Sequence, residues 1–184
     1  MVAHRWWRNL AGAVSVLGAL LIVVFGLPAI DRAVPVNPDS ATARRREVAG
    51  GVTVVPPAGS LIAKSSRTGP KEGSILFLIG PARYVMAVAP FEGDLPAAYG
   101  RLRTKIQSMR GYQVTAGEEP MVTKTGLKGL TASFTAPGRT GRFAVFLAPG
   151  LAIEVTVTGS EADLAQALLR IDESIATIAY GVPQ

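Results

Sequence analysis

Cysteine is missing from the 184 residues, and histidine occurs once, as His4. Without cysteine there is no disulfide to staple the fold and no thiol nucleophile, so a folded domain must hold together by packing alone. With histidine confined to position 4, everything downstream lacks the usual zinc and copper ligand sets and the usual general base. The sequence also has no P-loop, no GxGxxG, no EF-hand loop and no GxSxG. What remains is weak. Lys64-Ser65-Ser66 suggests a serine–lysine arrangement, yet adjacent residues in a strand point to opposite faces. Glu118-Glu119 stands beside Pro120 and reads as a turn, and Asp172-Glu173 falls on the polar side of a helix. These absences make a non-enzymatic role the expectation, with no catalytic residue, no cofactor and no metal.

Charge is missing from one stretch. Residues 10–30 carry none, and Ser15 is their only polar side chain. At about 1.5 Å per residue such a helix covers roughly 30 Å, the thickness of bilayer hydrocarbon. A transmembrane helix is therefore expected over 10–30. Arg5 and Arg8 precede it, with Trp6 and Trp7 placed for the aromatic belt, while Asp31 and Arg32 cancel just after it. The positive-inside rule then puts residues 1–9 in the cytoplasm and everything after Ile30 on the extracytoplasmic side of the cytoplasmic membrane. A cleaved signal peptide fits less well, because its apolar region is shorter and Ala41-Thr42-Ala43, the clear small-x-small match, lies too far downstream. Within the span, Ala11, Ser15 and Ala19 recur every fourth residue with Gly18 alongside. Small residues at that spacing let a second helix approach closely, which points to integral membrane subunits as partners.

The net charge is +6, from 19 basic and 13 acidic residues. Taking Arg5 and Arg8 from the 19 leaves 17 against 13, so the outer part carries +4. A basic protein often meets nucleic acid, but a domain outside the cytoplasm faces lipid headgroups and acidic partner proteins instead. Residues 31–46 read as an extracytoplasmic linker, with Pro35 and Pro38 and no apolar period. Arg44, Arg45 and Arg46 within it are candidates for contact with anionic lipid headgroups or a partner, against the rival reading of a plain solvated linker.

Residues 47–184 read as one extracytoplasmic domain. Strands are expected over 52–55, 74–79 and 83–89, the last two split by Gly80-Pro81 as a hairpin. Asp94 and Pro96 open a helix over 95–110, with Leu95, Ala98, Leu102, Ile106 and Met109 on one face. Arg101, Arg103 and Lys105 are assigned to its other face, as candidates for lipid phosphate or an acidic partner, or else as ordinary solvated surface. Strands follow over 112–116, 121–125, 129–135 and 142–148, with a basic turn at Gly138-Arg139-Thr140-Gly141 between the last two. Residues 151–158 alternate, placing Leu151, Ile153, Val155 and Val157 on one face. Ser160 and Asp163 make a capping-box-like start to a final helix. Its stripe of Leu164, Leu168, Ile171, Ile175 and Ile178 reads as core, and Gly181 and Pro183 stop it. The fold class is therefore α+β: a transmembrane helix followed by an antiparallel-sheet domain with two packed helices.

This order of strands, helix, strands and terminal helix resembles the PsbP/DcrB-like fold. The features that carry it are Pro56-Pro57-Ala58-Gly59 after a strand, the helix over 95–110, the meander over 112–158 and the helix ending in Ser174-Ile175-Ala176-Thr177-Ile178. The resemblance covers nearly the whole outer domain. It implies an accessory or assembly factor on a membrane complex, and supplies no catalytic residues. The whole layout is similar to actinobacterial single-span membrane proteins, among them the mycobacterial lipid uptake coordinators of the LucA/LucB type. That similarity implies association with Mce-type lipid importers. The expected function is an accessory, stabilising subunit of a cell-envelope complex, a lipid importer first and a respiratory complex second. A stand-alone tethered domain with an apolar pocket for lipid or another small ligand is the alternative, and a hydrolase with an unusual site is the third.

Overall fold

The computed structural model describes residues 39–40, 44–115 and 117–181. The span expected over 10–30, the residues before it and the linker as far as Pro38 lie outside the described residues. No helix among those described is long and apolar enough to cross a membrane.

The described chain runs β1 (Asp39–Ser40), β2 (Arg46–Ala49), β3 (Val52–Val54), β4 (Leu61–Gly69), β5 (Glu72–Ile79), β6 (Ala82–Pro90), α1 (Leu95–Gln107), β7 (Gln113–Val114), β8 (Glu119–Val122), β9 (Lys128–Ala136), β10 (Arg139–Ala148), β11 (Leu151–Gly159), α2 (Glu161–Ala176) and β12 (Ala179–Tyr180). A large antiparallel sheet has the order β1-β4-β5-β6-β11-β10-β9-β7, with β8 also paired to β9. A small sheet has the order β12-β3-β2. The α+β class and its two packed helices agree with the reading of the sequence.

Alternation along the central strands decides which face meets which layer. The inner face of the large sheet carries Ile75, Phe77 and Ile79 of β5, Tyr84, Met86 and Val88 of β6, and Ile153, Val155 and Val157 of β11. Against it pack Leu164, Ala167, Ile171 and Ile175 of α2 and Val48, Val52 and Val54 of the small sheet. The helical stripe expected as core is core, although Leu168 stays half-buried. Ser160 caps α2 as expected: its hydroxyl accepts from the Asp163 N–H at 3.2 Å and donates to the Asp163 carboxylate at 2.6 Å.

The carbonyls at the C-terminal end of α2 are tied down by two separate segments, one at Arg45 and one at Lys124-Thr125. Arg45 Nη1 donates to the Thr177 carbonyl at 2.8 Å, Lys124 N–H donates to Ala176 at 2.8 Å, and Thr125 Oγ1 donates to Ile178 at 2.9 Å. These bonds satisfy carbonyls that a helix end leaves open. Ser174 Oγ donates to the Val55 carbonyl, and Val55 N–H donates to Thr177 Oγ1 at 2.8 Å. Tyr84 is fully buried beside Ser174, and burial pushes its phenol well above the ordinary value while Ser174 pulls the other way.

Several boundaries differ from the sequence reading. β4 was not expected. Its residues are mostly exposed, and register shifts between Ile62 and Lys64 and between Arg67 and Gly69 break any period of two. β8 sits earlier than 121–125, and Pro120 is accommodated because β8 lies at an edge. The basic turn is shorter than expected. Pro137-Gly138 alone makes it, with Gly138 at φ +68, and Arg139, Thr140 and Gly141 already pair with β9. The ordered framework begins before Glu47, since β2 starts at Arg46 and β1 pairs with β4.

Two glycines in the long hairpins are covered by rings from the partner strand. Gly141 stands opposite Phe134, and Gly129 opposite Phe146. A Cβ at Gly141 would run into the Phe134 ring and the Val157 carbonyl, and the carbonyl belongs to a paired strand that cannot yield. Gly100, in the middle of α1, has open space around its Cβ position. The expected outcome is opposite in sign: Gly141→Ala loses about 3 kcal/mol to overpacking, and Gly100→Ala gains up to about 1 kcal/mol from helix propensity. Urea unfolding of the two variants checks both values.

Candidate functional site

The outer face of the large sheet is where buried charge meets apolar surface. α1 packs there on β10, β9 and β7. Asp94 starts the helix by accepting from the Ala97 N–H at 2.9 Å. Ala98, Tyr99, Leu102 and Ile106 then reach Ala132, Phe134, Phe143 and Val145. The rings form a chain, with Tyr99 and Phe143 centroids 5.4 Å apart and Tyr112 and Phe134 centroids 5.7 Å apart.

At the border of this covered region lies Glu154 of β11, opposite Ala87 on one side and Val145 on the other. Its side chain is only 8% exposed. A carboxylate so buried needs cations, and two arrive from α1: Arg101 Nη2 at 2.8 Å and Lys105 Nζ at 3.3 Å. Arg101 also lies over the Phe91 ring, 4.7 Å from its centroid. At 100° per residue, Arg101 and Lys105 share one flank of α1 while Arg103 points to the other. There Arg103 acts on Tyr99, whose hydroxyl is pushed up chiefly by burial, lowered by Arg103 and raised again by Glu118.

The three basic residues of α1 therefore do not form one surface. Arg101 and Lys105 hold the helix to the sheet, and Arg103 is exposed on its own. The arginine run is likewise divided. Arg44 is exposed; Arg45 Nη1 donates to Thr53 Oγ1 at 3.1 Å as well as to Thr177; Arg46 belongs to β2, opposite Val54. Ala11, Ser15, Gly18 and Ala19 lie outside the described residues. Lys64 and Ser65 point to opposite faces, opposite Leu76 and Ile75 in register. Elsewhere Arg142 of β10 pairs with Asp172 of α2; burial lowers the Arg142 guanidinium and the charge of Glu119 raises it again. Arg67 pairs with Glu47.

Beyond Glu154 the outer face is not covered by a helix among the described residues. There β5 and β6 carry Leu76, which is buried, and Leu78, Val85 and Ala87, which are half-buried, beside Thr156 and Thr158 of β11, and β4 adds Leu61 and Lys64 at the edge. Reading the sequence missed this surface, and it missed Glu154. The signals were present. Residues 74–79 and 83–89 are apolar at nearly every position, so both faces of those strands are apolar. Glu154 is the one charge in an otherwise uncharged β11.

Removing the charge at Glu154 strands two cations over an apolar sheet. Glu154→Gln is expected to cost about 2 kcal/mol, as for a charged hydrogen-bonded pair that is partly wet. Urea unfolding measures it, and combination with Lys105→Met should recover part of the loss. A Glu154→Gln domain as stable as the wild type would show that the cluster does not hold α1.

No protein-family model matches the sequence, and no curated protein does. Among solved structures, the chain is similar to the solution structure of cyanobacterial PsbP (CyanoP) from Synechocystis sp. PCC 6803, with a TM-score of 0.55 and 13% identity over 82% of this chain and 99% of that chain. The crystal structure of LpqN, involved in cell envelope biogenesis of Mycobacterium tuberculosis, aligns with a TM-score of 0.38 and 10% identity over 78% of this chain and 83% of that one. The likeness to CyanoP gives the described domain a PsbP-like fold, with antiparallel sheets and two helices.

Proposed function

We propose that the protein is a non-enzymatic accessory subunit of a multi-protein complex of the cell envelope, with a lipid importer of the Mce type as the preferred complex. Residues 10–30 anchor it in the cytoplasmic membrane, and the folded domain stands on the extracytoplasmic side. The observation that carries this reading is the destination of the charged side chains. Glu154, Asp172 and Glu47 each meet a cation from another element, and Arg45 reaches across to the end of α2. The ionisable groups that converge in this domain join one element to the next. A domain built in this way, on an apolar anchor, acts by being held beside something else. The PsbP-like fold supports the reading through the accessory roles that the family resemblance implies.

The small-residue face of the anchor is the expected contact with partner subunits. Ala11→Leu, Ser15→Leu and Ala19→Leu together keep the segment apolar, so insertion should survive while close helix approach is blocked. Val24→Leu is the matched control. In mild detergent the triple variant should stay in the membrane fraction and lose its copurifying membrane partner. Copurification at the wild-type level would remove this face as the contact.

A further inference from the structure

We infer that the edge of β4 at residues 64–67 takes up an extended acidic segment of a partner protein as one further strand of the large sheet. This rests on the reading of the protein as an accessory subunit, and it names the place and the chemistry of one contact.

Three observations lead there. First, this edge already accepts a strand. β4 runs from Leu61 to Gly69, and β1 pairs with its first two residues, Asp39 with Ile62 and Ser40 with Leu61. Among the described residues no other strand lies on that side of β4. Such an edge offers N–H and C=O groups to an extended chain laid beside it. Second, the exposure is that of an open edge. Lys64 and Ser66 point to the outer face, Ser65 and Arg67 to the inner one, and all four are exposed. Register shifts fall on either side, between Ile62 and Lys64 and between Arg67 and Gly69. Between them residues 64–67 keep unbroken pairing with residues 73–76. The irregularities therefore bound a straight stretch of four residues.

Third, the charge along this edge is positive. Lys64 and Lys71 form no ion pair among the described residues, while Arg67 meets Glu47. Glu72 is the one acid of the β4–β5 hairpin, and it stands opposite Gly69, beyond the second register shift. A second copy of the same edge would bring basic residues against basic residues. A strand with Asp or Glu meets Lys64 with opposite charge, and such cross-strand pairs stabilise a sheet while like pairs disfavour it. Residues 32–38 of this chain do not have that chemistry. They contain no acid, and Pro35 and Pro38 have no N–H to give to a ladder.

The test uses the full chain in native membranes, with p-benzoylphenylalanine placed at Ser66, or at the exposed Gln166 of α2 as the control. After photolysis the chain is purified in mild detergent and the attached peptide is sequenced. The probe at Ser66 should attach to a segment containing Asp or Glu, in a protein that also copurifies without photolysis. The probe at Gln166 should not attach to that segment. Lys64→Glu should lower the yield from Ser66 several-fold and Lys64→Arg should keep it, with both variants unfolding at the wild-type urea concentration because Lys64 is exposed. Equal loss or equal retention of yield in the two variants overturns the inference. So does attachment to a segment without acids, to β4 of a second copy, or to residues 32–38 of the same chain. No attachment from Ser66 while a membrane partner copurifies overturns it and leaves the accessory reading standing. Absence of any copurifying partner overturns both.

Discussion

Tyr84, Met86, Ile153 and Val155 lie at the centre of the large sheet, against Ile171 and Ile175 of α2, and every other element is arranged around that apolar layer. With no disulfide available, this burial is the main force holding the domain. The rest serves to keep α2 in place. Its first turn is closed by Ser160 and Asp163. Its last carbonyls take donors from Arg45 and from the adjacent Lys124 and Thr125, two distant parts of the chain. The small sheet, tied to α2 through Val55, Ser174 and Thr177, covers inner-face area that the helix does not reach.

The outer face is handled differently. One helix covers part of it, and its position is set by aromatic packing on β9 and β10 together with one buried carboxylate. Glu154 marks where the cover stops. On one side of it lie Val145 and Phe143 under α1; on the other lie Ala87, Val85 and Leu76 without a helix. The large sheet is thus covered by α2 and the small sheet on its inner side and by α1 over part of its outer side.

Much of this was legible in the sequence, and the reasons for the gaps are physical. The stripe in α2 and the alternation in β11 are local periodicities, so one sequence carries them completely. Gly80-Pro81 marks a turn by its backbone preferences alone. β4 escaped notice because register shifts interrupt it and its faces differ little in polarity. Arg45 looked like linker charge because its partner, the Thr177 carbonyl, is 132 residues away. Arg101 and Lys105 read as an open basic face, for lipid phosphate, an acidic partner or solvent, for the same reason, since Glu154 lies 53 and 49 residues downstream. The apolar runs of β5 and β6 carry a signal of two-sided burial that the hairpin reading passed over, and which part of the outer side a helix covers depends on where α1 lands, which no local pattern encodes.

The proposal that the protein is an accessory subunit of a cell-envelope complex is tested most directly by purifying the full chain from native membranes in mild detergent. A stoichiometric membrane-protein partner is the predicted result. Recovery of the chain alone, with no such partner, would contradict it.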